Sequence, residues 1–407
     1  MQYDVRIYPM QSGFTVLLPN QKSGTFAALL LYNLFCLKSV IVSVTNDLST
    51  DQRVDKVCRT LTGMGFQVML VGRWLPHCMP LNNRPYVTHR MRLLFRKGPL
   101  FYAEYNLRLL LFLLYTKCRL LVSNDLDTLP ANFMAHLLKS VPLVYDSHEF
   151  YTETPELVNR PLVKGIWERI EKFIFPRLND IITVNESIAG LYLKKYNKPL
   201  YVVRNIPSAV GLVPKLSRDE LQLPADKRII ILQGAGLNIQ RGAEEAIEAM
   251  QYLHHTVLLI IGSGDVIETL KTMATHPEIS GKVLFRDKMP YLRLMAHTQH
   301  ADLGLTLDKD TNLNYRFSLP NKLFDYIHAG VPVLASNLPE IARIINHYHI
   351  GRITDSHEPK KLAVLMEEML TDEASRIKWK EGLARAAREL TWENEEKVLH
   401  TIYGKYA

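Results

Sequence analysis

From Ser39 onward, short runs of β-branched and aliphatic residues alternate with longer stretches whose apolar positions recur every three to four residues. Short apolar runs bounded by turn residues predict strands buried on both faces, and their alternation with helical patterns predicts parallel sheets built from strand, helix, strand units. In the first half the pattern predicts strands over 40–45, 67–71, 119–123, 142–145, 181–184 and 201–203. In the second half it predicts them over 228–232, 256–261, 282–285, 303–307 and 331–335.

Residues 162–175 place Leu162, Ile166, Ile170 and Ile174 four apart, with Trp167 and Phe173 beside them and Lys164, Glu168, Arg169 and Lys172 outside the stripe. That spacing predicts an amphipathic helix stopped by Pro176. Residues 204–227 carry Pro207, Gly211, Pro214 and Pro224 with little periodicity and predict a connection between domains. The expected plan is an N-terminal extension of no assigned role over 1–37, a doubly wound α/β domain over 38–204, a linker over 205–227, a second such domain over 228–390 and a final helical segment over 391–407. Ligands in doubly wound sheets bind beyond the carboxyl ends of the strands, so the residues just after each strand are where chemistry is sought.

Length and composition agree with two cores: 407 residues, 47% of them hydrophobic, exceed the usual single-domain range. The run 25–37 is apolar but ends at Lys38, short of the ~20 residues that span a bilayer, and it carries no Ala-x-Ala cleavage site. The four cysteines, at 36, 58, 78 and 118, form no Cys-x-x-Cys pair and no metal-ligand spacing with histidine, which fits a reducing, cytoplasmic setting. A net charge of +8 favours anionic partners such as nucleotide diphosphates, phosphorylated or lipid-linked acceptors and acidic membrane surfaces, or is simply a solvated basic surface. The basic residues make no long run and fit no zinc-finger, RNA-recognition or basic-zipper spacing, which argues against nucleic acid.

The most informative stretch, SLPNKLFDYIHAGVPVLAS over 318–336, reads as a helix capped by Ser318, with Pro320 in its first turn, a Gly330 stop and then a buried strand. Lys322 then lies at the positive end of the helix dipole, where a cation is disfavoured unless an anion binds there. Arg241 poses the same problem just before Gly242 and a helix bearing Glu244 and Glu245. One diphosphate held between the two cations would reconcile both; the plainer alternative is a pair of snorkelling surface residues. Asp325, one turn on from Lys322, is suited to accept hydrogen bonds from ribose hydroxyls or to pair with Lys322 within the helix. In the first half, Asp146, His148 and Glu149 follow the strand at 142–145 on a loop expected to face the cleft, a buried structural histidine being the alternative.

These residues carry a resemblance. LPNKLFDYIHAGVPVLAS and LQGAGLNIQRGAEEAIEA, with SVTNDLSTDQRV, SNDLDTLP, VYDSHEFYTETPE, IIGSG and ADLGLTL, resemble glycosyltransferase family 4, the retaining enzymes of GT-B architecture also called group 1 glycosyltransferases. The resemblance extends over most of residues 38–405. It implies two Rossmann-like domains facing across a cleft, a nucleotide-diphosphate sugar as co-substrate, and no metal cofactor. By the same resemblance Arg241 and Lys322 bind the donor diphosphate, Asp325 holds the ribose, and Gly236, Gly262 and Gly264 line the donor side. His148 matches the family histidine near the reacting sugar, and the final helix crosses back onto the first domain.

The resemblance also sets Asn46, Asp47, Arg53, Asp146 and Glu149 on the acceptor side, although Asn46, Asp47 and Asp51 serve equally well as helix caps. A departure is visible at Phe317, where the family usually carries a glutamate that reaches the donor sugar; sugar recognition then falls to groups near Leu319, Pro320 and Asn321.

The expected activity is transfer of a sugar to an acceptor hydroxyl with retention, in cell-surface polysaccharide or glycolipid synthesis. Three rivals stand beside it. Asp125-Leu-Asp127 and Asp308-Lys-Asp310 both spell Asp-x-Asp, as a metal-dependent enzyme of the other glycosyltransferase architecture would need. A nucleotide-sugar 2-epimerase of the same fold and a non-catalytic nucleotide-sugar-binding protein are the others. Finally, residues 90–114 combine Arg92, Arg96 and Lys97 with an apolar stretch, and read either as a peripheral contact with an anionic membrane or as a loop and a core helix.

Overall fold

The structure is a computed structural model that describes residues 38–49, 51–76, 81, 83–154, 157, 160–208 and 213–407. The extension 1–37 with its apolar run, Cys36, Cys78 and Gly211 lie outside the described residues.

Two parallel sheets form. The first contains β1 (Ser39–Asp47), β2 (Gln67–Arg73), β3 (Val87–Met91), β4 (Leu120–Asn124), β5 (Leu143–Ser147), β6 (Asp180–Thr183) and β7 (Tyr201–Val202), in the order β3-β2-β1-β4-β5-β6-β7. The second contains β8 (Arg228–Gly234), β9 (Thr256–Gly262), β10 (Val283–Arg286), β11 (Leu303–Thr306), β12 (Val333–Ser336) and β13 (Gly351–Thr354), in the order β10-β9-β8-β11-β12-β13. Each sheet starts at its centre and reverses its direction of growth, between β1 and β4 and between β8 and β11, which opens a crevice at the carboxyl ends of those strands.

Two strands escaped the hydrophobic pattern, β3 and β13, and both are edge strands. Half-solvated strands can carry polar residues: of β3 only Met91 is buried, and of β13 only Thr354, whereas the edge strands β7 and β10 keep enough apolar residues to be read. The helix expected over 162–175 is present at Pro161–Ile174 but turned on its axis. Trp167, Glu171 and Ile174 face inward, Trp167 edge-on to Tyr102 and Tyr151, whereas Leu162 and Ile166 of the expected core stripe are 85% and 56% exposed.

One face of the first sheet is covered by helices that contribute Phe101, Tyr105, Phe133, Trp167 and Tyr192 to its core. The other face is covered by the helix Gln52–Gly63 and by the final helix Trp392–Tyr403, whose Trp392, Leu399, Ile402 and Tyr403 are buried there. The chain therefore crosses between domains twice. The first crossing is less of a free linker than its composition suggests, since Ile206, Leu221 and Leu223 are buried in the second core. At the second, Trp392 donates its backbone N–H to Pro207 O at 3.0 Å and its indole N–H to Thr60 Oγ1 at 3.0 Å, while Arg204 pairs with Glu395 at 2.5 Å.

Candidate active site

A cavity of about 650 Å³ opens between the domains at the carboxyl ends of the central strands. Asn46, Arg53, His148 and Glu149 line it from the first domain; Gly236, Arg241, Gly262, Pro320, Asn321, Lys322 and Asp325 line it from the second.

On the second-domain wall, Arg241 and Lys322 converge. Arg241 precedes Gly242, which takes φ +73° and has no room for a side chain: a Cβ there would meet Leu307 at 2.4 Å. This tight turn lays the guanidinium over the ring of Tyr315, 4.7 Å from its centroid, and brings Nη1 to 3.0 Å from Asp308 Oδ1. Lys322 is the second residue of the helix Asn321–Ala329 and reaches Asp308 Oδ2 at 3.3 Å. Asp308, two residues beyond β11, is wholly buried and takes a further bond from Thr306 Oγ1. Burial opposes its ionisation, but Lys322 and Arg241 prevail and hold its carboxyl below the usual range. Burial lowers the Lys322 pKa despite Asp308, whereas Arg241, also opposed by burial, is raised by Asp308. The snorkelling alternative does not describe Lys322, which is 7% exposed.

Three expectations about this wall change. Ser318 does not cap the helix: Pro320 holds the N-cap position, no side chain caps it, and Ser318 Oγ lines the cavity, buried and without a protein partner. Asp325 does not pair with Lys322. Its Oδ2 accepts from Gln233 Nε2 and its Oδ1 from Tyr291 Oη, each at 2.9 Å, and Thr298 Oγ1 fixes the Gln233 amide from behind at 2.7 Å. Burial raises the Asp325 pKa to about 6, against those hydrogen bonds. Gly264 does not line the cavity. It and Gly262 (φ +143°) let the loops after β8 and β9 cross: a Cβ on Gly262 would meet Gly234 O at 1.8 Å, and one on Gly264 would meet Leu237 O at 2.0 Å.

On the first-domain wall, the cation is already matched. Arg53, 3% exposed, grips fully buried Asp146 with two nitrogens, at 2.7 and 3.2 Å, and donates to Val203 O at 2.6 Å. Burial disfavours the Asp146 carboxylate, yet Arg53 holds its pKa well below the usual range. Asp146 does not line the cavity, so its acceptor-side assignment gives way to a supporting one. Asp47 likewise does not line it, and instead accepts from Ser49 and from Arg90 at 3.0 Å. Of the candidate caps, Asp51 is the one used, accepting from Val54 N.

His148 lies between two carboxylates, with Nδ1 3.4 Å from Asp125 Oδ2 and Nε2 3.7 Å from Asp146 Oδ2 and 3.1 Å from Asn124 Oδ1. Its backbone N–H also binds Asp125. Burial works against the imidazolium, but Asp125 and Asp146 raise its pKa to about 9. The ring is thus a fixed positive charge at the cavity wall, with both nitrogens facing protein acceptors.

Both Asp-x-Asp pairs have protein partners. Asp125 serves His148, Asp127 accepts from Thr45 at 2.5 Å, Asp308 lies between two cations, and Asp310 is half exposed 3.7 Å from Arg316. Two cations beside Asp308 oppose a third, so that carboxylate is poorly suited to hold a divalent ion.

The walls also touch. Asn314 Nδ2 donates to Glu149 Oε2 at 2.8 Å, Asn185 Nδ2 donates to Phe317 O at 2.7 Å, and Ser187 N donates to Glu340 at 2.8 Å. The Phe317 side chain packs against the first domain's core and does not line the cavity. Sequence reasoning missed Asp308 as a bridge, and missed Gln233, Tyr291, Asn314 and Tyr315 altogether. Gln233 at the end of β8 and Asp308 just past β11 do obey the rule that chemistry follows strand ends.

A family model described as glycosyl transferases group 1 matches residues 216–386, and one described as glycosyltransferase family 4 matches residues 51–207. The chain belongs to the group 1 glycosyltransferases. Sucrose-phosphate synthase from Thermosynechococcus elongatus superposes with a TM-score of 0.74 at 15% identity, over 90% of this chain and 98% of that one. HepE from Anabaena, solved in complex with UDP-glucose, gives 0.68 at 13% identity over 90% and 99%. These likenesses identify the fold as GT-B. In sequence, a chitobiosyldiphosphodolichol beta-mannosyltransferase from Candida albicans is 22% identical over 268 residues, 60% of this chain and 57% of that protein, so the chain spans little more than half the length of this relative.

Proposed function

We propose that this family member transfers a sugar from a nucleotide-diphosphate sugar to an acceptor hydroxyl. The observation that carries the reading is that Arg241 and Lys322 both line the interdomain cavity and are drawn together there by one buried carboxylate, Asp308. When the bond between the anomeric carbon and the diphosphate oxygen breaks, negative charge grows on the departing diphosphate. Cations already fixed around it lower that barrier, the more so as water is excluded. Ser318 Oγ and the uncapped start of the helix Asn321–Ala329 add donors beside them. Asp325, oriented by Gln233 and Tyr291, accepts from ribose hydroxyls. His148, its charge already balanced by Asp125 and Asp146, borders the sugar as part of the cavity wall; with both ring nitrogens facing acceptors, it is no general base at neutral pH. The acceptor hydroxyl bonds to the anomeric carbon and its proton leaves with the diphosphate or to solvent. No metal is required in this scheme, and undiminished turnover in chelator is the expected result.

Thermal melting with UDP, GDP and ADP tests the donor site, because a ligand bound only by the native state raises Tm. UDP is the first choice, since HepE was solved with UDP-glucose and with UDP and glucose. No stabilisation by any of the three would sink the reading. Incubating donor alone and finding an epimer would transfer the fold to the epimerase reading; binding without transfer to any acceptor would make it a sensor.

Retention at the anomeric carbon is the expected stereochemistry. A second reading has one observation behind it: the Candida relative is named a beta-mannosyltransferase, and a β-product from an α-linked donor means inversion. The anomeric configuration of the product decides.

A lipid-linked acceptor, met at the inner face of an anionic membrane during polysaccharide or glycolipid synthesis, suits the first domain's surface. Among the described residues no helix is long and apolar enough to cross a membrane. The helix Gly98–Tyr115 buries Phe101, Tyr105, Leu109 and Leu113 but exposes Leu100, Leu107, Leu111 and Tyr115. Neighbouring helices expose Leu137, Leu138, Leu162, Ile166 and Phe173, and Arg96, Lys97, Lys117 and Lys172 are exposed alongside. Apolar stripes with a basic fringe favour an anionic bilayer surface. Co-sedimentation with phosphatidylglycerol vesicles but not with neutral ones is expected; equal recovery with both, or with neither, would refute it.

A further inference from the structure

A carboxylate directly behind the wall of a diphosphate site is out of place by simple charge counting, because it repels the ligand. Yet Asp308 is wholly buried between Arg241 Nη1 at 3.0 Å and Lys322 Nζ at 3.3 Å, and Thr306 Oγ1 holds it from a third side. We propose that Asp308 is a positioning residue for the donor diphosphate, holding the two cations at their stations and keeping Lys322 charged, so that removing this anion weakens anion binding. The proposal rests on Arg241 and Lys322 being the diphosphate ligands.

The physical case lies in what Lys322 would meet without it. Lys322 is 7% exposed, and the charged groups acting on it are Arg241, from the loop after β8, and Asp308, from the loop after β11. Burial and Arg241 both disfavour the ammonium; Asp308 is the opposing group. With Asp308 replaced by a neutral amide, a nearly buried ammonium faces a guanidinium alone. It then either loses its proton or swings away, and the site is left with one cation where two are needed. Arg241 does not share this weakness, since a guanidinium stays protonated when buried and its plane is also supported by the Tyr315 ring. Other titratable groups close to Asp308 are Tyr315, against Arg241, Tyr326, adjacent Lys309, which pairs with Glu245, and His357, whose Nε2 lies 3.2 Å from Leu307 O; none of them acts on Lys322 with an opposite charge.

Calorimetric titration with inorganic pyrophosphate tests this on the full chain, for the wild type, Asp308→Asn, Lys322→Ala and the double variant Asp308→Asn/Lys322→Arg, at pH 6.5 and 8.5, with far-ultraviolet melts to confirm folding. Affinities are read as ratios to wild type at each pH, which removes the titration of pyrophosphate itself. The expected result is that Asp308→Asn binds more weakly than wild type, and that its deficit grows with pH by up to about tenfold per unit once the lysine loses its proton. Lys322→Arg in that background should restore most of the affinity and abolish the growth with pH. Equal or tighter binding by Asp308→Asn overturns the proposal, as does a deficit that ignores pH and is not rescued by arginine. Should wild type bind no pyrophosphate, or Lys322→Ala bind it as well as wild type does, the diphosphate reading itself fails and this inference with it.

Discussion

The two walls of the cavity are built from the same kinds of residue and balanced differently. In the first domain, Arg53 faces Asp146 and His148 faces Asp125, cation for anion. In the second, Arg241 and Lys322 share Asp308, two cations for one anion. A matched buried pair has little left to offer a ligand and serves architecture. An unmatched cation at a cavity wall still seeks a partner, which the proposed diphosphate would supply. Position after a strand is therefore not enough to mark a ligand residue; the local balance of charge separates the two walls.

That contrast can be broken by mutation. The largest effect is expected at Arg53: replacement by Ala leaves Asp146 buried with only His148, 3.7 Å away and shared with Asp125, as a counter-charge, and should cost about 3–5 kcal/mol of stability, read as a lower midpoint in denaturant. Lys322→Ala should do the opposite, lowering kcat/KM about 10²–10³-fold while leaving a folded protein, because it removes one group that stabilises the leaving charge. If instead Arg53→Ala melts like wild type and Lys322→Ala unfolds, the roles of the walls are reversed.

A smaller effect follows from His148. Its pKa is raised in the folded state to about 9, from an ordinary value near 6.5, so the stability it contributes is fully present below about 6.5 and is lost as pH rises through about 9. Melting temperature should fall over that window, and His148→Gln should flatten the fall. An unchanged profile in the variant would remove the imidazolium from the picture. The smallest effect is expected at the bridge between walls: Asn314→Ala deletes one hydrogen bond to Glu149 and should cost about 0.5–1.5 kcal/mol, seen chiefly in KM if closure aids donor binding.

Much of the fold was legible because central parallel strands are buried on both faces and write themselves as apolar runs. β3 and β13 were not, since these two half-solvated strands carry polar residues such as His89, Arg90 and Arg352 in place of such a run. The helix at 161–174 shows a second limit. Its sequence holds two apolar stripes, and only the neighbouring Tyr102 and Tyr151 decide that Trp167 rather than Leu162 faces inward. In the site, helix position pointed to Lys322 and Arg241, and family likeness to His148. What could not be read was pairing at a distance. Arg53 and Asp146 lie 93 positions apart, and Arg241 and Asp308 lie 67 apart, so nothing local announces that one carboxylate is a strut and the other a bridge.

The doubled passage of the chain between domains limits how the molecule can move. A single tether would let the lobes swivel and twist freely. Here two strands of polypeptide run side by side, stitched at Trp392 to Pro207, like the leaves of a door hung on two pins. A rotation that parted the two passages would have to break that bond, so a hinge line running through it is the movement this double connection favours.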